Sequence, residues 1–343
     1  MSSLAHGTGA AVKHAARGGR CRGVDHGRRR CGVALAGLLT AQAAAPAFTA
    51  AAVAAAAVAK PAAPPVVLTI LNGGAVLHIG ANTVAAALGL RLPQGSLVET
   101  LAATTLLRLE WADGSALDLG PDSAVMIEPG ALGRSGATPE PAVQARGAVA
   151  PAFYLLRGWA KHRSAPSAEH RGHVSPQLDA LPAKGAVVMH VVAGATWLFV
   201  ESGSARLVER AGAKARLDLS IGQSYLRQGA AKGELAQRPN AEQLKDVPRG
   251  FRDTLPLRAA QFQGQEIEAK ALQAPYYAEL RPWLIVAEPA LRREFPRRFA
   301  PLLREPGFRA ALAAKLPDHP EWGPLVYPER YLKRASAPTG ERR

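Results

Sequence analysis

The sequence predicts a mainly β fold, a sandwich or roll of short antiparallel strands, followed by a separate small α-helical region at the C-terminus. Three observations carry that expectation. Between Val66 and Arg238, short runs rich in Val, Leu, Thr and aromatic residues recur, punctuated by Gly, Pro, Asn and Asp. After residue 250 apolar residues fall at three- and four-residue spacing, and prolines stand where helices begin, as in PYYAELRPWLIVAEPALRREF and PGFRAALAAKL. With 343 residues, the chain is also long enough for two hydrophobic cores.

Taken in order, residues 1–30 hold seven basic side chains and one acid, show no hydrophobic periodicity, and are expected to stay disordered. GRRRCGVALAGLL then places Arg28, Arg29 and Arg30 before an uncharged run over residues 31–59. A positive flank, an apolar core and a small-residue exit are the parts of a secretory signal, with Ala41-Gln42-Ala43 as the cleavage candidate. The same run is long enough for an uncleaved anchor, although alanine is weakly apolar and Pro46 interrupts it, so signal peptide and membrane tether through 31–59 both stay open. KPAAPP, residues 60–65, reads as a linker.

Residues 66–238 then form the β domain. VVLTIL, TLLRLEW, AFYLLRGW, AVVMHVV and TWLFVES are among its strands. Residues 129–148 and 161–184 are too long for hairpin turns and too poor in large apolar residues for strands, so both are expected to be surface loops. Residues 250–335 form the helical region. Within it Leu291, Phe295, Phe299, Leu302 and Leu303 trace an apolar stripe across Pro296, and FRDTLPLRAAQFQGQEIEAKAL could form an amphipathic face.

The stretch LRLEWADGSALDL, residues 107–119, fixes one register. Directly opposed residues share a face of the sheet, so Leu107 and Leu109 must meet Leu119 and Leu117. A two-residue Asp113-Gly114 loop would oppose Leu109 to Asp118, on the wrong face. A three-residue loop, Ala112-Asp113-Gly114, gives the required pairs and places Gly114 in the left-handed position.

At this point a family resemblance emerges. PQGSLVETLAATTLLRLEWADGSALDLGPDSAVMIE resembles the core of the FecR periplasmic domain family, through Gly95, Val98, Thr100, the strand ending at Trp111, Asp113, Gly114 and Ser115, then Pro121, Ser123 and Val125. GSARLVERAGAKARLDLSIGQSYLRQG is similar to that family's later hairpin, followed by Ile221-Gly222-Gln223. The likeness covers about residues 66–235, and its motifs are turn and strand residues. It implies an exported, mostly β domain that relays envelope signals in iron-uptake regulators and also occurs in free-standing exported proteins. A sigma-regulating member carries a sizeable cytoplasmic helical domain. Here thirty tryptophan-free residues precede the apolar run, so anti-sigma activity is not expected.

Candidate chemistry is sparse. His170 and His173, with Glu169 and His162 nearby, form the densest group of metal-ligand types, but a structural zinc site needs four fixed ligands and a solvated loop is the expected state. Asp113, Asp118 and Asp122 lack calcium-loop spacing. His319-Pro320-Glu321-Trp322 reads as an ordered turn. A Gly-rich phosphate loop, H-E-x-x-H and G-x-S-x-G are all missing from the sequence. No catalytic residue, cofactor or metal is therefore expected. Cys21 and Cys31 lie before the β domain, which excludes disulfides and Cys-ligated metal from it.

Net charge is +15; without residues 1–30, 35 basic and 26 acidic side chains remain. They are dispersed and aromatics are 6% of residues, so a nucleic-acid partner is not expected. The resulting expectation is an exported, non-enzymatic envelope protein, periplasmic or otherwise extracytoplasmic, that binds an envelope protein or cell-wall polymer. The alternative is a membrane-tethered signal-transduction regulator of the FecR type. A third reading is a hydrolase using Asp118, Asp122 and Glu128 gathered on one β surface.

Overall fold

The computed structural model describes residues 65–130, 151–165, 171–210 and 216–335. The N-terminal 64 residues, most of the 129–148 segment and His170 lie outside the described residues. Among the described residues, fifteen strands form one sheet. The first eight are β1 (Val66–Asn72), β2 (Ala75–Ile79), β3 (Asn82–Ala85), β4 (Arg91–Leu92), β5 (Leu97–Thr100), β6 (Leu106–Glu110), β7 (Ala116–Leu119) and β8 (Ala124–Ile127). The rest are β9 (Phe153–Arg163), β10 (His173–Val174), β11 (Leu178–Val192), β12 (Ala195–Glu209), β13 (Arg216–Ser220), β14 (Ser224–Gln228) and β15 (Glu234–Ala236). Their order is β15-β14-β12-β11-β10-β9-β7-β6-β1-β4, with β2, β3, β5 and β8 joined through β8–β9 and β13 on β12.

The β6–β7 register is Leu107 opposite Leu119 and Leu109 opposite Leu117, the pairing that face-sharing requires. Trp111 N donates to Ser115 O and Gly114 N to Trp111 O, closing the Ala112–Gly114 loop with Gly114 at φ +85. The leucines enter the main core with Val66, Leu68, Val125, Met189, Leu198 and Val200.

Long strands let the sheet turn corners. β9 pairs with β8 in its first half and with β7 in its second. The change of partner occurs around Gly158, at φ +85, where an added Cβ would lie 2.4 Å from Ser123 Cα. A side chain there is excluded by contact as well as by conformation.

Residues 161–184 correct the expectation of a surface loop. They supply the end of β9, all of β10 and the start of β11. Their buried side chains include His162, His173, Val174, Leu178 and Ala180. Small residues and neutral imidazoles fill core volume that a search for large apolar residues overlooks.

The C-terminal half begins with α1 (Ala241–Asp246) and continues as α2 (Tyr277–Leu284), α3 (Pro289–Phe299), α4 (Pro306–Ala314), α5 (Gly323–Val326) and α6 (Pro328–Ala335). α3 continues through Pro296 and buries Leu291, Phe295 and Phe299. These side chains share a core with Trp283, Trp322 and the sheet residues Leu97, Ala124, Met126, Tyr154 and Val174, so the helices form a layer on the β5–β8–β9–β10 region. The Arg298 guanidinium fastens α3 to the sheet by donating to the carbonyls of His78, Gly80 and Gly95. Burial pushes its pKa down to about 10.

Residues 250–275 differ from the expected helical pattern. Apart from single turns at Arg249–Phe251 and Ala259–Phe262 they run irregularly as a strap across the sheet, ending in a bridge between Ala271 and Val84. Pro256, Gly264 and Pro275 oppose a continuous helix, and the sheet itself satisfies the strap's backbone.

Candidate binding site on the outer sheet face

The motif residues of the early strands hold turns together. Thr100 Oγ1 donates to Gly120 O at 2.6 Å and accepts from Ser123 N at 2.8 Å. Ser123 Oγ accepts from Trp159 N and donates to Trp159 O, tying the turn after Pro121 to β9. Asp113 Oδ1 accepts from Ser115 N, and Trp111 Nε1 donates to Glu128 Oε1 at 2.8 Å. Gly95 and Gly222 occupy left-handed turn positions. Every one of these contacts is architectural.

His173 is not on a solvated loop. It is buried in the core, its Nε2 2.7 Å from Nδ1 of His162, with Phe153 stacked on it at 4.9 Å. Burial holds the His162 pKa down to about 3, with the Arg171 charge adding to the effect, and holds His173 well below its ordinary value. Two neutral imidazoles sharing one proton form a satisfied core pair. Among the described residues, no group of three or more His, Cys, Asp or Glu side chains is placed to hold a metal ion.

The three acids of the hydrolase reading do not meet. Asp118 is buried against Arg108 in a bidentate ion pair at 2.5 and 2.7 Å. Glu128 is bound by Trp111 and Arg171. Asp122 sits exposed on a turn at φ 50.

The outward face of the central strands is charged, yet the strap covers it. Arg108 and Arg163 both donate to Leu255 O, Lys161 donates to Phe251 O, and Glu110 Oε2 accepts from Arg258 N and Ala259 N at 2.8 and 2.7 Å. Phe251 and Leu255 pack beside them. Cations hold strap carbonyls, and a carboxylate holds strap amides.

Farther across the same face the register builds an aromatic rung. Trp159 opposes His190, His190 opposes Trp197, and Trp197 opposes Leu226, on four adjacent strands. Trp159 stacks on His190 with centroids 3.7 Å apart, and Trp197 meets Trp159 edge-on at 6.0 Å. Burial pushes the His190 pKa down to about 4, the Asp246 charge opposing, so the imidazole is neutral at neutral pH.

α1 stands over this floor. Its Asn240 capping box closes both ways, Gln243 N to Asn240 Oδ1 and Asn240 N to Gln243 Oε1, yet it buries none of its own residues. A capped helix with no buried face leaves space on either side. One cavity of about 450 Å³ is lined by residues including Val188, Phe199, Glu201, Leu244, Lys245 and Phe251. The other, about 160 Å³, is lined by residues including Trp159, His190, Trp197, Gln228, Gln243 and Asp246. This floor, with its helical roof, is the candidate binding site.

None of these residues stood out from the sequence as a site. The available signal was parity: Trp159 and Lys161 alternate with core-facing Ala160 and His162, which sets an aromatic residue on the outward face.

No family model matches the chain, and no curated protein matches it. Membership of the FecR family is therefore not shown. Two crystal structures of a "putative anti-sigma factor" from Parabacteroides distasonis are similar to it at 8% identity, with TM-scores of 0.32 and 0.31. Each match covers 43% of this chain and 62% of that protein, so the chain spans less than two thirds of the neighbour's length. A superposition this loose carries no inference about ligand or partner.

Proposed function

We propose that this chain is a non-enzymatic binding protein of the cell envelope, exported by its N-terminal segment, that holds a protein or polymer partner on the outer sheet face beside α1. The observation that supports this reading most is the aromatic rung roofed by a helix with no buried residue and flanked by two cavities. Ligand sites are concave, largely apolar and edged by a few polar groups, as here. The spent carboxylates support the non-catalytic part: Asp118 and Glu128 are each engaged by a cation.

Export and binding are tested separately. Fractionation with mass determination of the mature N-terminus is expected to find cleavage near Ala43. An intact N-terminus in the membrane fraction would favour the tethered signal-transduction regulator, and recovery from the cytoplasm would defeat both. Binding is tested by capture from envelope extract with the wild-type chain and with Gln228→Trp plus Leu244→Glu, exposed positions beside the two cavities. The partner is expected to be lost from the variant. Equal capture by both proteins would place the site elsewhere.

A further inference from the structure

We propose that the 160 Å³ cavity between Trp159, His190, Trp197 and α1 is a subsite for one uncharged sugar ring of a glycan. This deepens the function proposed above and rests on it, by naming the partner's chemistry. The floor consists of planar rings held in one rung by strand register, at centroid spacings of 3.7 and 6.0 Å. A pyranose packs its C–H groups against such apolar rings and directs its hydroxyl groups outward. The cavity is of the order of a single ring.

The polar groups point the same way. Trp197 is 5% exposed, yet its buried Nε1 has no hydrogen-bond partner. A buried donor left unpaired is destabilising, and an acceptor brought within its reach would relieve that. Gln228 lines the cavity with its carboxamide unspent, and Gln243, whose Oε1 is engaged in the capping box, retains its Nε2 donor. Asp246 supplies an acceptor for a hydroxyl proton. Donors and acceptors thus border one aromatic floor, as a polyol requires.

Charge narrows the class. Asp246 is the charged side chain in the lining, and His190 carries no proton at neutral pH, so a phosphate or uronate would face an uncompensated carboxylate. A quaternary ammonium would satisfy Asp246 and the ring faces but would leave the Trp197 indole and both carboxamides without acceptors. A neutral sugar satisfies all of them.

The test is intrinsic tryptophan fluorescence of the full chain titrated with chitotriose, maltotriose and tetramethylammonium. One of the sugars is expected to give a saturable change with Kd of about 1 mM or tighter. Gln228→Ala and Asp246→Ala, both at exposed positions and so without consequence for folding, should each weaken it about fivefold or more. No saturable response to either sugar, unchanged affinity in both variants, or saturation by tetramethylammonium alone would each overturn the subsite. Co-sedimentation of the full chain with insoluble cell-wall polymer separates the two readings. Sedimentation that both variants retain keeps the envelope-binding function and overturns the subsite. Sugar binding without sedimentation keeps the subsite and removes the polymer.

Discussion

Acid should unfold this protein through two histidines that make no contact with solvent. His162 and His173 form a buried pair 2.7 Å apart, and burial keeps both neutral in the native state, His162 down to about pH 3. In the unfolded chain each takes up a proton near its ordinary 6.5. Below that value the unfolded state binds protons the native state refuses, so stability is full above 6.5 and declines as pH falls towards the native values. One such imidazole loses about 1.4 kcal/mol between about pH 7.5 and about pH 5.5, and the pair together about 2.7 kcal/mol. The assay is urea unfolding of the full chain at both pH values, compared with a double variant, His162→Leu plus His173→Leu. Replacing both partners by apolar groups of similar size leaves neither half unpaired. Carboxylates and the remaining histidines titrate alike in both proteins and cancel. The wild type should lose about 2.7 kcal/mol more than the variant. Equal losses, within about 0.5 kcal/mol, would refute the assignment of the pair as neutral and buried.

Three further outcomes follow from the packing. Arg108→Met leaves Asp118 buried without its cation and should cost about 3–5 kcal/mol by urea unfolding, whereas adding Asp118→Leu should recover most of that loss; no recovery would contradict the pairing. Gly158→Ala meets Ser123 Cα at 2.4 Å and needs a left-handed backbone, so it should destabilise by about 2 kcal/mol or more, measured as a lower urea midpoint at unchanged slope. Glu110→Ala removes the acceptor for Arg258 N and Ala259 N, and limited proteolysis should then cut within residues 252–272 at protease levels the wild type resists; an unchanged pattern would mean the strap is held elsewhere.

Local rules made part of this architecture readable and hid the rest. The β6–β7 register followed from opposed residues sharing a face, a constraint contained within thirteen residues. Alternation shows which side a residue points to, but not what covers that side. Arg108, Glu110 and Asp118 fall at the outward positions of the alternation, but Leu255, 147 positions from Arg108, lies over them. Likewise H-x-x-H spacing set His170 beside His173 in a loop, while the sheet gave His173 a partner on β9 instead. The aromatic rung spans β9, β11, β12 and β14, so its residues become neighbours only once long-range pairing is known. The C-terminal helices were legible from their apolar stripe and prolines, but the segment from 250 to 275 carried the same spacing and became a strap, because sheet side chains satisfy its backbone better than a helix interrupted by Pro256 and Gly264 would.

That strap is recognised by its peptide planes, not by its letters. The groups gripping it take hold of the carbonyls of Phe251 and Leu255 and the amides of Arg258 and Ala259, which nearly any residue supplies. Sequence drift along the segment should be tolerated wherever the plug at Phe251 survives and proline stays away from 258 and 259. Drift at Glu110 or Lys161 should not be, since each holds main chain that has no other side-chain anchor at that point, whereas Leu255 is held by Arg108 and Arg163 together.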